Sequence, residues 1–214
     1  MLEEMTTFND IVKFTVTLVS ILNPLGVVPI FINLTSRFSD ENVSAIATAC
    51  SATVGITILL SLVLGQQILS FFGISIASFT IGGGLLLSSM AFSMIQAKQP
   101  NAKMTEEEIE HTEMSREIGV VPLAIPLLSG PGTISTSIIQ ADGFKTSYHW
   151  IGAVIAVILI SLGINLILTY SRPIGKKLGR IGLNVMTRIM GIILLAIAIE
   201  MIISGSIQVA KLFK

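Results

Sequence analysis

Two apolar stretches, "ILNPLGVVPIF" from Ile21 to Phe31 and "IPLLSGPGTIS" from Ile125 to Ser135, set proline and glycine in the middle of runs long enough to cross a membrane. A bilayer core of roughly 30 Å takes about 20 residues of helix. Six apolar segments of that length are predicted, near 11–33, 43–65, 74–96, 118–140, 149–170 and 185–207. With 52% hydrophobic and 12% charged residues among 214, the chain does not read as a soluble domain, and its mean hydropathy of +0.84 agrees. The expected class is an all-α membrane protein of six transmembrane helices in which helices one and four are broken.

Proline removes a backbone donor and clashes with the preceding turn, and glycine admits conformations closed to other residues. The carbonyls and amides so released cannot face hydrocarbon, where each would cost several kcal/mol, and are tolerated only against protein or a watery cavity. Asn23-Pro24 lies near the middle of span one and Gly130-Pro131 near the middle of span four, so the breaks are expected to meet at the midplane. The half-helices that follow would aim positive dipole ends inward, toward a carboxylate, while freed carbonyls suit an ammonium group or a sodium ion. The expected substrate-binding residues are Asn23, Pro24, Gly26, Ser129, Gly130, Pro131, Gly132 and Thr133. No lysine, arginine or carboxylate stands among them or their neighbours Ser135 and Thr136, which favours a small solute with no net charge.

Internal similarity supports a paired plan. Sliding the second half over the first at one fixed offset matches Asp10 with Glu117, Ile11 with Ile118 and Pro24 with Pro131. A slightly longer offset then matches "GISIASFTIGGGLL" from Gly73 with "GLNVMTRIMGIILL" from Gly182, laying Gly82 on Gly191 with a drift of two positions. Three spans per half reverse the direction of entry, so the halves are read as inverted three-helix repeats, 1–97 and 118–214, separated by an acidic cytoplasmic loop at 98–117. That loop carries six glutamates from Glu106 to Glu117 and reads as a solvated surface segment.

Lys and Arg total 13, as do Asp and Glu, so net charge points to no nucleic-acid partner. Their placement matters more. Eight basic residues (Arg37, Lys98, Lys103, Arg116, Arg172, Lys176, Lys177 and Arg180) follow spans one, three and five, against four (Lys13, Lys145, Lys211 and Lys214) on the other side. Cytoplasmic loops retain such residues, which puts both termini outside the cytoplasm. The acidic start "MLEEMTTFND" has no basic region or small-residue cleavage site, so the first apolar segment is expected to be retained. Cys50, the one cysteine, reads as a small packing residue.

Gly82, Gly83 and Gly84 in span three and Gly191 in span six are expected to allow close helix approach. Glu200 is the one carboxylate well inside a span, with Ser204 and Gln208 at four-residue steps beyond it. An acid at a helix centre costs roughly 2.5 to 3.5 kcal/mol on insertion scales. Glu200 is therefore a candidate for proton or sodium coupling, or for a helix-packing hydrogen bond, and Arg188 a candidate for gating or for snorkelling to the interface. Catalysis is not expected. His111 lies in the acidic loop and His149 at a span edge, neither within reach of Ser129, and Asp10, Asp40 and Asp142 lie near span ends. No metal-ligand spacing is present, and no cofactor is expected beyond a coupling sodium ion or proton.

The stretches "NPLGVVPIFINLT", "FGISIASFTIGGGLLL", "IGVVPLAIPLLSGPGTIS" and "NVMTRIMGIILLAIAIE" together resemble the MarC-related family of six-span inner-membrane proteins, also called the neutral amino acid transporter family. The resemblance covers nearly the whole chain. It implies a multi-pass protein of the inner membrane that moves small neutral amino acids such as glycine and alanine, coupled to a cation gradient. Its partners would be the lipid bilayer and the amino acid, and a homo-oligomer is compatible with it. A non-transporting scaffold or regulatory subunit and a small-solute channel are the alternatives. The basic asymmetry gives a direct test of topology: alkaline phosphatase fused after Lys214 should be active in the periplasm and a fluorescent reporter there dark, and the reverse pattern would overturn the orientation.

Overall fold

The computed structural model describes residues 2–36, 38–96 and 119–212, so the acidic loop predicted at 98–117 and Arg37 lie outside the described residues. Among the described residues eight helices follow in order: α1 (Leu2–Leu22), α2 (Pro24–Leu34), α3 (Asp40–Phe71), α4 (Ile76–Ile95), α5 (Gly119–Leu128), α6 (Pro131–Asp142), α7 (Ser147–Thr169) and α8 (Ser171–Leu212). Five stretches among the described residues are long and apolar enough to cross a membrane: Phe8–Leu34, Asp40–Phe71, Ile76–Ile95, Ser147–Thr169 and Ile181–Ala210. The predicted fourth span is not one helix. It is divided into α5 and α6, of 10 and 12 residues, each too short to cross alone.

Local chemistry explains the ends. Ser39 caps α3 by accepting the Asn42 N–H at 3.3 Å, with Asp40 and Glu41 in the first turn where the dipole favours acids. That helix stops at Gly73, whose φ of 66° lets the Ile74 N–H reach the Leu69 carbonyl at 2.8 Å and its own N–H reach Ser70 at 3.0 Å. Ser75 then caps α4 through the Ser78 N–H at 3.1 Å. In α5 the winding is wide, because Val121 (φ −129°, ψ 124°) and Ile125 (φ −121°, ψ 122°) are extended. Each stands immediately before a proline, Pro122 or Pro126, whose ring disfavours the helical conformation in the residue ahead of it. Inside α8 the helix is broken at Gly179 (φ 63°, ψ 178°), a region of backbone space open essentially to glycine alone.

The helices form two apolar bodies. The larger joins α1, α2, α3, α5 and α7 around Phe14, Phe31, Ile46, Ile58, Leu123 and Ile164. The smaller belongs to α4 and α8, around Leu87, Ala91, Met94, Leu194, Ala198 and Met201. Its two helices run antiparallel along a seam of small residues. Gly205 faces the carbonyl of Ala77 at 2.9 Å from where a Cβ would stand, Gly84 that of Ala198 at 2.7 Å, and Gly191 that of Ala91 at 3.1 Å. Each layer thus sets one glycine against one alanine, and the layers recur every two turns on both helices.

This seam corrects two expectations. A Cβ at Gly82 would meet nothing within 4 Å, so close packing does not apply there, while Gly83 lies against Pro131 and Gly132 of α6. Nor does Gly82 share the setting of Gly191, for the glycine of α4 that packs in the seam is Gly84. Gly84→Ala should destabilise the fold by about 1 to 3 kcal/mol, since a backbone carbonyl cannot swing away as a side chain would. Gly82→Ala should be neutral or stabilising, by up to about 1 kcal/mol, through helix propensity. Unfolding of both variants in the same detergent checks the contrast, and equal losses would contradict the seam.

Candidate functional site

Both breaks appear where the sequence placed them, but they are built differently. Asn23 has φ 43° and ψ 57°, and is the one non-glycine residue with positive φ among the described residues. Asparagine tolerates this conformation better than most side chains. Its N–H closes α1 on the Val19 carbonyl at 3.0 Å, and its Oδ1 accepts the Gly26 N–H at 3.3 Å, capping α2. Gly26 is required by that cap, because the Asn23 carboxamide occupies the space a Cβ would need. Pro24, at the first position of α2, gives up no useful donor. Asn23 and Pro24 are half-buried.

The second break is more deeply buried: Ser129, Gly130, Gly132 and Thr133 are buried and Pro131 is half-buried. Gly130 is extended (φ −74°, ψ −177°) and has no side chain to cap α6, and Pro131 begins the helix. The Ile134 N–H closes on Gly130 at 3.1 Å, but among the described residues the buried amides of Gly132 and Thr133 have no acceptor. On the other side of the break the chain repairs itself with hydroxyls. Ser129 donates from both N–H and Oγ to the Ala124 carbonyl, each at 2.8 Å, and Thr133 Oγ1 donates to Leu128 at 2.9 Å. Ser135 and Ser137 likewise donate to Gly132 (3.2 Å) and Thr133 (2.8 Å). Ser129, Thr133, Ser135 and Ser137 are almost wholly buried. Their protons are committed to backbone carbonyls, so toward a ligand they offer lone pairs, while α6 offers two unpaired N–H groups at its positive end.

The surroundings are apolar and close. Gly83 packs on Pro131, with 3.0 Å between its absent Cβ position and the proline Cβ, and the Gly132 position faces Leu87 Cδ1 at 2.8 Å and Met201 Sδ at 3.2 Å. The second break therefore sits where α6 meets the α4–α8 pair. Residues flanking both breaks, Leu22 and Val27 on one side and Ala124 and Leu128 on the other, share the larger core. Glu200 is not brought to this place. It is exposed, on the face of α8 turned away from Ala198 and Met201, and among the described residues neither it nor Arg188 has a hydrogen-bond or ion-pair partner.

Three polar contacts go beyond the sequence reading. Arg172, at the start of α8, pairs with Asp40 and donates to the carbonyls of Thr35 at 2.8 Å and Phe38 at 2.5 Å. Asn165 of α7 donates to Thr48 Oγ1 at 3.1 Å and Ser51 Oγ at 3.3 Å, both on α3. His149 of α7 lies 3.6 Å from Asp10 of α1 and shares a 2.7 Å hydrogen bond with Thr146. A sequence signal for Asn165 exists, since it is the only carboxamide in the fifth apolar run. Arg172 bears on the sequence reading through topology alone.

These features define a polytopic helical membrane protein whose apolar runs are interrupted at Asn23 and at Ser129–Gly130. The family model for MarC family integral membrane proteins matches residues 8–210, and the chain belongs to that family. It is 37% identical over 193 residues to the UPF0056 membrane protein YhcE of Escherichia coli (strain K12), covering 90% of each chain. Similarity to a UPF0056 membrane protein of Pyrococcus abyssi is 38% over 205 residues, 96% of each. With one of Methanocaldococcus jannaschii it is 40% over 189 residues, 87% of this chain and 90% of the relative. No solved structure matches the chain.

Strain and capping at Asn23 can be separated. Asn23→Ala should lose about 1 to 3 kcal/mol through the positive φ and the lost cap, whereas Asn23→Gly should lose less, the strain being relieved. Thermal unfolding of the two variants decides it. Equal losses would mean that the backbone conformation carries no cost there.

Proposed function

We propose that the chain is a secondary transporter of small neutral amino acids of the glycine or alanine type, driven by a sodium or proton gradient, with the substrate held at the paired breaks. The observation that carries this reading is the uncapped start of α6, where among the described residues the buried Gly132 and Thr133 amides lack acceptors and stand beside buried hydroxyl oxygens. Two amides at a helix N-terminus suit a carboxylate, and the hydroxyl lone pairs with the Asn23 carboxamide suit an ammonium group. Leu87 and Met201 leave little room beside Gly132, in keeping with a small side chain.

Six crossings in two inverted halves complete the proposal, with α5 and α6 together as the fourth and both termini outside the cytoplasm. Several features support it. Pro24 and Pro131 open α2 and α6, and the caps Ser39 and Thr146 open α3 and α7, both pairs at one common offset along the chain. Contacts exchange accordingly: α3 packs on α5 as α7 packs on α1, α4 on α6 as α8 on α2, while α3 meets α7 and α4 meets α8. The Gly84–Ala198 layer maps onto Ala91–Gly191 at the same offset.

Glu200 enters as the coupling residue. It stands next to Met201, which touches the Gly132 position, so a change at the acid can reach the break through one helix turn. The test is uptake of labelled glycine and alanine into proteoliposomes with imposed sodium or proton gradients. Wild type should accumulate substrate with saturation and counterflow. Gly132→Leu, in a protein that still inserts, should abolish binding, and Glu200→Gln should keep exchange but lose accumulation by about tenfold or more. Flux without saturation would identify a channel, and no flux or binding a scaffold.

A further inference from the structure

The division into two apolar bodies has a mechanical counterpart. Within the larger body, polar contacts pin the helices together: Asn165 to Thr48 and Ser51, His149 to Asp10, and Arg172 to Asp40 and the Thr35 and Phe38 carbonyls. Among the described residues no side-chain hydrogen bond or ion pair joins α4, or α8 beyond Gly179, to that body. The α4–α8 pair is held internally by its glycine–alanine seam and touches its surroundings by van der Waals contact, notably Gly83 on Pro131 and Leu87 and Met201 on Gly132.

Among the described residues, the covalent joints into the pair match this division. The chain passes from α3 to α4 at Gly73 and along α8 at Gly179, and these are the two positive-φ glycines among the described residues. Up to Gly179 the chain is anchored, by the Arg172 contacts and by Gly175 against Ile32 at 2.6 Å from its Cβ position. Past Gly179 it belongs to the pair. Neither glycine is hemmed in, for a Cβ at either would meet nothing within 4 Å. Packing does not demand glycine at these joints; only the backbone conformation does.

We propose that α4 and the part of α8 beyond Gly179 move as one rigid unit against the rest of the protein, turning on Gly73 and Gly179, and that this motion uncovers and covers the start of α6. The moving unit draws one helix from each half of the sequence, so the division runs across the repeats and not between them. Four of the five methionines of the pair, Met90, Met94, Met190 and Met201, lie in or against its core; methionine is unbranched and re-packs readily, which suits a surface that slides. The polar contacts of the larger body would stay closed throughout.

Paired spin labels on the full chain in lipid nanodiscs test this without any substrate, so the result stands apart from the transport reading. In a Cys50→Ala background, Leu85→Cys with Ile192→Cys reports within the pair, and Leu162→Cys with Ile192→Cys reports between the pair and α7; all three labelled positions are exposed. The expected result is one narrow distance within the pair and two populations between bodies. Gly179→Ala and Gly73→Ala add no clash but penalise positive φ, so each should shift the ratio of those populations by about fivefold or more toward the form in which that joint has left this conformation. Two distances within the pair would overturn the proposal. So would a single, unchanged distance between bodies in wild type and both alanine variants. Should Gly179→Ala fail to fold, the wild type and Gly73→Ala decide alone.

Discussion

Backbone polar groups inside a hydrocarbon layer must find partners within the protein, and the architecture of this chain follows from how it meets that demand at two interruptions. At the first, one carboxamide carries most of the repair: Asn23 accepts the left-handed conformation that ends one helix and then caps the next through Gly26. At the second, two X-Pro steps unwind α5, and hydroxyls of Ser129 and Thr133 bond carbonyls left over from the unwinding. Among the described residues, the Gly132 and Thr133 N–H groups at the start of α6 are left without an acceptor beside neighbouring helices.

The same solvent decides how the helices associate. Lipid tails are as apolar as leucine, so burial of apolar surface gives little drive between helices, and close packing or interhelical hydrogen bonds must supply it. The chain uses these devices in different places. Asn165, Arg172 and His149 fasten the larger body with polar contacts; interhelical hydrogen bonds in membranes average about 0.6 kcal/mol each. The α4–α8 pair relies on backbone approach, with three layers in which glycine admits an alanine carbonyl. One part is fixed by directional bonds and the other by shape. Contacts of shape slide more readily than contacts of direction, and the second break lies where the two kinds of body meet.

Charge is kept at the periphery of this arrangement. Asp40, Arg172 and His149 sit at helix ends, and Asp10 stands half-exposed near the start of the apolar Phe8–Leu34 stretch, where water can share the cost of solvation. Glu200 is the one carboxylate well inside an apolar stretch among the described residues, an exposed acid on a helix whose opposite face is the seam. Its neighbours on that outward face, Ile189, Ile193, Ile203 and Ile207, are all exposed and apolar.

The sequence by itself determined the membrane class, five stretches long and apolar enough to cross a membrane, the location of both breaks and membership of the MarC family. These are local properties: hydropathy, the lost donor of proline, the conformational freedom of glycine and asparagine. The wide turn of α5 was also legible in principle, from Val121-Pro122 and Ile125-Pro126, because an X-Pro step acts on the residue beside it. Tertiary structure alone decided which small residues face one another. Glycine–leucine runs align almost as well when slipped by two positions, and only contact across α4 and α8 separates Gly84, in the seam, from Gly82, in open space. It alone decided that Arg172 reaches back to Asp40, 132 residues away, and that Asn165 meets α3. It also turned Glu200 away from the break, since the face a helical residue presents is set by the partner its helix chooses. That choice is a property of the assembled bundle, not of any stretch of sequence.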